Sequence, residues 1–321
     1  MLYYTTTSWM MWHWSVSALA VGASLVLYTG SPFQPHGHLS LPKLLSSLRV
    51  THFGTSAAYL TTLEASNVLP LQDASVDLSS LEAIYSTASP LPPSTFAYVY
   101  SAFPKRVNLA SITGGTDIIS LFGAPCPLLP VCAGQVQCVG LGMAVRVFDS
   151  LSDPESPREA PAGEPGDLVC VRPFPCQPLT FFGPRGDDLY RTAYFERFPG
   201  VWHHGDFVRL DPGTGGLMML GRSDGVLKPA GVRFGSAEIY NVLARFFATA
   251  VEDALCVGRR REGDTDETVC LFVVMVSGRR FDDETRQQIR KVIRAELSPR
   301  HIPGVIEEAG GGIPKTGNGK K

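Results

Sequence analysis

Apolar positions along the chain change period three times, and each change predicts a different kind of element. Residues 9–28 (WMMWHWSVSALAVGASLVLY) carry no formal charge. By length that run matches a membrane span. Gly22 divides it into a helix-like part and a β-branched part at 24–28, so a helix followed by a buried strand is the soluble alternative. Short apolar runs at 83–86 and 107–112 read as strands between helical patches, an α/β layer reaching to about residue 135. From Gly134 to about Leu220 strand-like runs at 144–148, 167–171 and 217–220 alternate with long loops rich in Pro, Gly and Asp, which reads as a β-rich subdomain. Residues 151–166 form an exposed connection.

After Arg222 the period changes again. Ile239, Val242, Leu243, Phe246 and Phe247 lie at helical spacing behind Ser236, a candidate N-cap, with Glu238 in the first turn. A near-continuous apolar strand follows at 268–276. A second helix starts at the acidic residues 282–284, turns Ile289, Val292, Ile293 and Leu297 to one side, and stops before Pro299. The expected architecture is α/β and α+β: a large domain over 1–222, made of an α/β layer and a β-rich subdomain, then a small α+β domain over 223–321. The last residues, GGIPKTGNGKK, have no apolar period and read as a basic loop.

Composition narrows the partners. The 321 residues are 44% hydrophobic with a formal charge of −2, so no basic excess points to nucleic acid. No Lys or Arg precedes the 9–28 run, which therefore lacks the charged start of a signal peptide. The seven Cys are scattered without C-x-x-C spacing and read as buried free thiols.

Four short stretches carry candidate chemistry. In Thr113–Asp117 (TGGTD), Gly114 and Gly115 let the backbone come close to a ligand, and the Thr116 hydroxyl and Asp117 carboxylate suit a phosphate with its magnesium. In residues 202–207 (WHHGDF), Asp206 after Gly205 can accept two ribose hydroxyls. His203 and His204 point to opposite faces of a strand and cannot share a metal. In 221–233, glycines flank a short polar stretch at the texture change, as a hinge requires. In 314–320 (PKTGNGK), a lysine on a mobile loop can bring a point charge to a carboxylate and a phosphate. Taken singly, the first two read better as plain turns, and the others read as an ordinary linker and a solvated basic tail.

In this order the four resemble the ATP- and AMP-binding motifs of adenylate-forming enzymes, and within them the acetoacetyl-CoA synthetase family. The resemblance is carried by YTTTSWMMWHWSVSALAVGASLVLYTGSP near the start, HFGTSAAYL at 52–60, DLSSLEAIYSTASPL at 77–91, LASITGGTDI at 109–118, YRTAYFERFPGVWHHGDF at 190–207, GRSDGVLKPAGVRFGSAEIYNV at 221–242 and LSPRHIP at 297–303. It implies ATP, CoA and Mg2+ as cofactors and acetoacetate or a similar short acid as substrate. It also implies a cytoplasmic enzyme without stable membrane insertion. By the same resemblance Thr116 contacts the α-phosphate and Asp117, where relatives often have Glu, helps hold magnesium. Asp206 binds the ribose with Arg222 beside it, and Asp224 is the hinge. Gly231 lines the thiol tunnel, Arg233 orients the phosphate side and Lys320 is the adenylation lysine. Ser89 lies in the adenine-side loop, where Ala88 stands in place of the family's usual Gly. The family's Ser/Thr/Gly-rich phosphate loop belongs upstream of the segment matching 4–12, outside this chain, and the chain stops one residue after Lys320. The expectation divides between a truncated acid–thiol ligase, a degenerate paralogue without catalysis, and a ligase for a different short acid.

Overall fold

The computed structural model describes residues 1–227, 229, 234–261 and 266–315. Contacts divide the chain into two compact units. One takes residues 1–204 and 209–218, and the other takes 205–208 and the chain from 219 onward.

The first unit runs β1 (Leu2–Tyr3), α1 (Met11–Ser17), α2 (Ser40–Ser47), β2 (His52–Ser56), α3 (Ala57–Ala65), β3 (Ala83–Thr87), α4 (Pro93–Ala102) and β4 (Asn108–Ser111). The four strands form one parallel sheet in the order β1-β2-β3-β4. Alternation along the strands buries both faces, as a parallel sheet requires. Phe53, Ile84 and Leu109 pack with Leu60, Leu63, Phe96 and Val99 of α3 and α4. On the other side Tyr3 and Ala110 meet Met10 and Met11.

The apolar run at 9–28 does not extend as one element. Helix α1 passes into a 3-10 turn at Ala18–Val21, and Gly22 ends it at φ 78°. The strand expected at 24–28 is reduced to one bridge between Val26 and Leu2. With only the two-residue β1 beside it there is no ladder to join, and Val21 and Leu27 stay exposed. Among the described residues no helix is long and apolar enough to cross a membrane.

Next come β5 (Thr113–Gly115), β6 (Ser120–Ala124) and β7 (Cys138–Val139), an antiparallel sheet. Then β8 (Val145–Phe148), β9 (Pro165–Cys170), α5 (Gly186–Phe195), β10 (Trp202–Leu210) and β11 (Leu217–Arg222) follow, the strands ordered β11-β10-β9-β8. Helix α5 interrupts what reads as all-β sequence. Asp187 and Asp188 occupy its first turn, where the helix dipole favours them. In the turn between β10 and β11, backbone N–H groups of Thr214 and Gly213 hold the Asp211 carboxyl below its usual range.

The second unit has a 3-10 turn at Ser223–Gly225, β12 (Val226–Leu227), β13 (Phe234–Gly235), α6 (Ser236–Phe246), β14 (Val251–Arg259), β15 (Thr268–Met275), α7 (Asp283–Glu296) and β16 (Val305–Glu308). β14 pairs antiparallel and β16 parallel with β15. Ile239, Leu243, Leu271, Val273, Ile289 and Ile293 share its core. Two local readings need correction. The N-cap of α6 is Gly235, whose N–H donates to Glu238 Oε1 at 2.9 Å, so Ser236 is already helical. Phe246 lies off the core face, under the Arg245 guanidinium. Helix α7 starts where read, and its N-cap is Asp282, which accepts from the Thr285 N–H at 2.8 Å.

Candidate active site

In a parallel sheet the strands' carboxyl ends share one edge, the usual place for a ligand in α/β folds. β3 and β4 deliver two of the sequence-predicted stretches there. Residues 88–90 follow β3, and Thr113–Asp117 follow β4. The Thr87 hydroxyl donates to the Ile112 carbonyl at 3.2 Å and ties the two exits together. Ser89 is exposed in the first loop. Ala88 adopts φ 77°, left-handed backbone that costs an L-residue about 1–2 kcal/mol. That is the physical reason a glycine is the natural occupant.

The TGGTD stretch is the strand β5 and the turn after it, with Thr116 and Asp117 exposed. Its glycines make room for the protein itself. A Cβ on Gly114 would lie 2.0 Å from the Ser120 carbonyl oxygen, and one on Gly115 would lie 2.7 Å from His204 Cε1. Internal crowding therefore accounts for both glycines without a ligand.

His204, given no role from sequence, is buried against this strand. Its Nε2 lies 3.1 Å from the Gly114 carbonyl, and Trp202 Nε1–H donates to its Nδ1 at 3.3 Å. A carbonyl only accepts and an indole N–H only donates, so the ring carries its proton on Nε2. His203 points the other way, 3.8 Å from the Asp167 carboxylate, as strand alternation requires. Tyr194 at the end of α5 also escaped the sequence reading. Its hydroxyl donates to Asp117 Oδ2, and its ring stacks on Trp202 with centroids 3.7 Å apart. Part of the signal was present: residues 202 and 204 share a strand face, and the Tyr at 190 and 194 are one helical turn apart.

The second unit holds another pair. Arg222 Nη1 donates to Asp206 Oδ1 at 3.0 Å, with the Asp206 side chain 11% and the Arg222 side chain 58% exposed. Gly205, immediately before Asp206, adopts φ 79°, and a Cβ there would sit 2.6 Å from Arg222 Nη2. The glycine is what lets the guanidinium lie across the backbone to reach the carboxylate. Asp224 falls in the 3-10 turn Ser223–Gly225 between β11 and β12. Lys315, at the near end of the basic loop, pairs with Asp253 of β14 at 2.7 Å. Gly231, Arg233 and Lys320 lie outside the described residues.

Among the described residues no three His, Cys, Asp or Glu side chains converge on a metal position. The donors present still fit magnesium, which keeps several waters and needs one or two carboxylates plus substrate phosphates. Asp117 and Thr116 offer an exposed carboxylate and hydroxyl side by side in the chain.

Residues 244–320 match the AMP-binding enzyme C-terminal domain. Over 100% of its length the chain is 48% identical to the acetoacetyl-CoA synthetase of Mus musculus, of which it covers 46%. It is 51% identical to the malonamoyl-CoA synthetase of Penicillium aethiopicum over 99% of the chain and 43% of that relative. The solved acetoacetyl-CoA synthetase from Streptomyces lividans superposes with a TM-score of 0.87 at 36% identity, covering 100% of this chain and 47% of that one. Along its whole length the chain is similar to part of the acyl-CoA synthetases, and residues 244–320 belong to the AMP-binding enzyme C-terminal domain family. The chain spans a little under half the length of the synthetases it matches. The α/β layer, β-rich subdomain and small α+β unit are thus the fold of part of an acyl-CoA synthetase.

Proposed function

We propose that this chain is the AMP-binding and lysine-bearing part of an acid–thiol ligase of the acetoacetyl-CoA synthetase type. Such a ligase joins a short carboxylate to ATP as acyl-AMP, releasing pyrophosphate, and passes the acyl group to the CoA thiol. The observation that carries the reading is the Asp206–Arg222 pair, built over the left-handed Gly205 and positioned by a sequence similar to the synthetases along its whole length. Asp206 binds the ribose hydroxyls; Ser89 borders the adenine. Thr116, Asp117 and Mg2+ meet the phosphates, with Gly114 and Gly115 shaping their turn. The domain after residue 222 turns about Asp224, with Gly231 along the thiol path and Arg233 toward the phosphate. Lys320 serves adenylation. Catalysis in this scheme is positioning and charge neutralisation at the phosphates. The setting is cytoplasmic lipid metabolism of small acids.

The 51% identity to a malonamoyl-CoA synthetase supports a second substrate, a short acid ending in an amide. The test joins the chain to the N-terminal half of the mouse relative and follows thioester formation by mass spectrometry with acetoacetate, malonamate and acetate. Acetoacetyl-CoA as the main product supports the first reading and malonamoyl-CoA the second. A nucleotide-binding protein that forms no thioester overturns both.

A further inference from the structure

Two polar groups of the TGGTD stretch are gripped by side chains that converge on one indole. The Asp117 carboxylate accepts from the Tyr194 hydroxyl, and the Gly114 carbonyl faces His204 Nε2 at 3.1 Å. Trp202, 2% exposed, stacks on the Tyr194 ring at 14° and donates its N–H to His204. Phe174 and Phe122 close the cluster, with ring centroids 5.2 Å from Trp202 and 4.6 Å from His204 respectively. A short side chain on an exposed turn samples several rotamers in water. Asp117 is exposed, yet its Oδ2 is fixed by a phenol whose own ring cannot swing without leaving the stack.

We infer that Tyr194 is a positioning residue: braced by Trp202, it holds the Asp117 carboxylate so that its second oxygen faces solvent beside Thr116, ready for a cation carried by a nucleotide's phosphates. The inference rests on the nucleotide reading proposed above. Tyr194 touches no reacting atom; it acts through Asp117. Tyr190 and Phe181 press edgewise on the same ring, with centroids 6.0 and 6.1 Å away, so α5 serves this brace. Helix α5, an interruption of the β-rich sequence, thereby gains a purpose that its composition does not announce.

The experiment is a double-mutant cycle on the whole chain with Tyr194→Phe, Asp117→Ala and the combination. Tyr194→Phe keeps the ring and the stack and removes only the hydroxyl, so its melting temperature should match the parent's. Two readouts are taken. The first is the 13Cζ resonance of Tyr194, which needs no nucleotide: loss of the carboxylate in Asp117→Ala should shift it. The second is the dissociation constant of magnesium–ATP by calorimetry. Tyr194→Phe should weaken binding about 3- to 10-fold in the parent, the net worth of one ordinary hydrogen bond, and by less than about 2-fold in the Asp117→Ala background. An unmoved resonance, or equal weakening in both backgrounds, overturns the positioning role. If no variant binds magnesium–ATP even when joined to a relative's N-terminal half, the nucleotide reading fails, and the resonance alone decides whether the phenol holds the carboxylate.

Discussion

Gly205→Ala is a sharp probe of the Asp206–Arg222 pair because two separate effects of one methyl group can be told apart. Residue 205 lies within β10 at φ 79°, where an alanine loses about 1–2 kcal/mol to the close approach of its Cβ and carbonyl oxygen. The smaller entropy of the unfolded alanine chain offsets about 0.4–1 kcal/mol of this. The new Cβ also arrives 2.6 Å from Arg222 Nη2 and 3.2 Å from its Cζ. Those atoms end a flexible side chain, so the guanidinium moves and the backbone does not. Moving it breaks the 3.0 Å contact with Asp206, and with Arg222 58% exposed that pair contributes only about 0–1 kcal/mol. The sum is a destabilisation of about 1–2 kcal/mol. Urea unfolding of the whole chain measures it as a shift in midpoint at constant slope. Arg222→Ala alone should cost less than about 1 kcal/mol. In that background Gly205→Ala should lose its steric part and keep only the backbone part. Both single variants should weaken AMP binding. An alanine variant as stable as the parent, or a penalty unchanged by removing Arg222, would refute the reasoning.

Other expectations follow from the same geometry. Ala88→Gly should stabilise the chain by about 0.5–1 kcal/mol, because the left-handed strain of about 1–2 kcal/mol outweighs the added unfolded-state entropy; a lower urea midpoint would contradict it. Asp206→Ala, in a chain completed by a relative's N-terminal half, should weaken nucleotide binding alike in acyl-AMP formation and thiol transfer, since the ribose is held throughout; damage confined to thiol transfer would show the assignment wrong. Burial in the small unit pushes the Cys256 thiol up to about 12 from 9.0. The folded state favours the protonated thiol, so this contribution to stability is complete below pH 9 and lost as pH rises to about 12. At pH 8 the thiolate is about a thousandfold scarcer than in the unfolded chain, and iodoacetamide should label Cys256 only after unfolding; prompt labelling of the native chain would count against it.

Much of the fold was legible where burial and period coincide. The strands near 83–86, 107–112 and 268–276, and the helices after residues 235 and 282, repeat the apolar spacing of the sequence because each has one or both faces in a core. The run at 24–28 shows the limit. Its residues suit a strand, but strand preference is a fit to neighbours, and β1 is too short to supply them. Helix α5 was hidden for the opposite reason. Its packing residues are aromatic, their partner Trp202 lies on the strand that follows, and the first turn looks like an acidic loop. At the site, sequence singled out Gly114, Gly115, Asp206 and Arg222. It did not show that His204 and Ser120 fill the space the two glycines leave, nor that Gly205 admits the Arg222 guanidinium. A glycine announces crowding without naming the neighbour, and those neighbours come from β10, β6 and β11.

The measurement that bears most directly on the ligase reading is acid-dependent ATP–pyrophosphate exchange, run beside thiol transfer from pre-made acetoacetyl-AMP, in the chain joined to a relative's N-terminal half. The parent should exchange pyrophosphate only when acetoacetate or malonamate is present. Lys320→Ala should lower that exchange by about two to three decades, the usual effect of removing one preorganised charge, and leave thiol transfer within a few fold. Lys321→Ala, just past the motif, should change little. A folded, nucleotide-binding protein that shows no acid-dependent exchange, or one in which Lys320→Ala harms both half-reactions equally, would contradict the account.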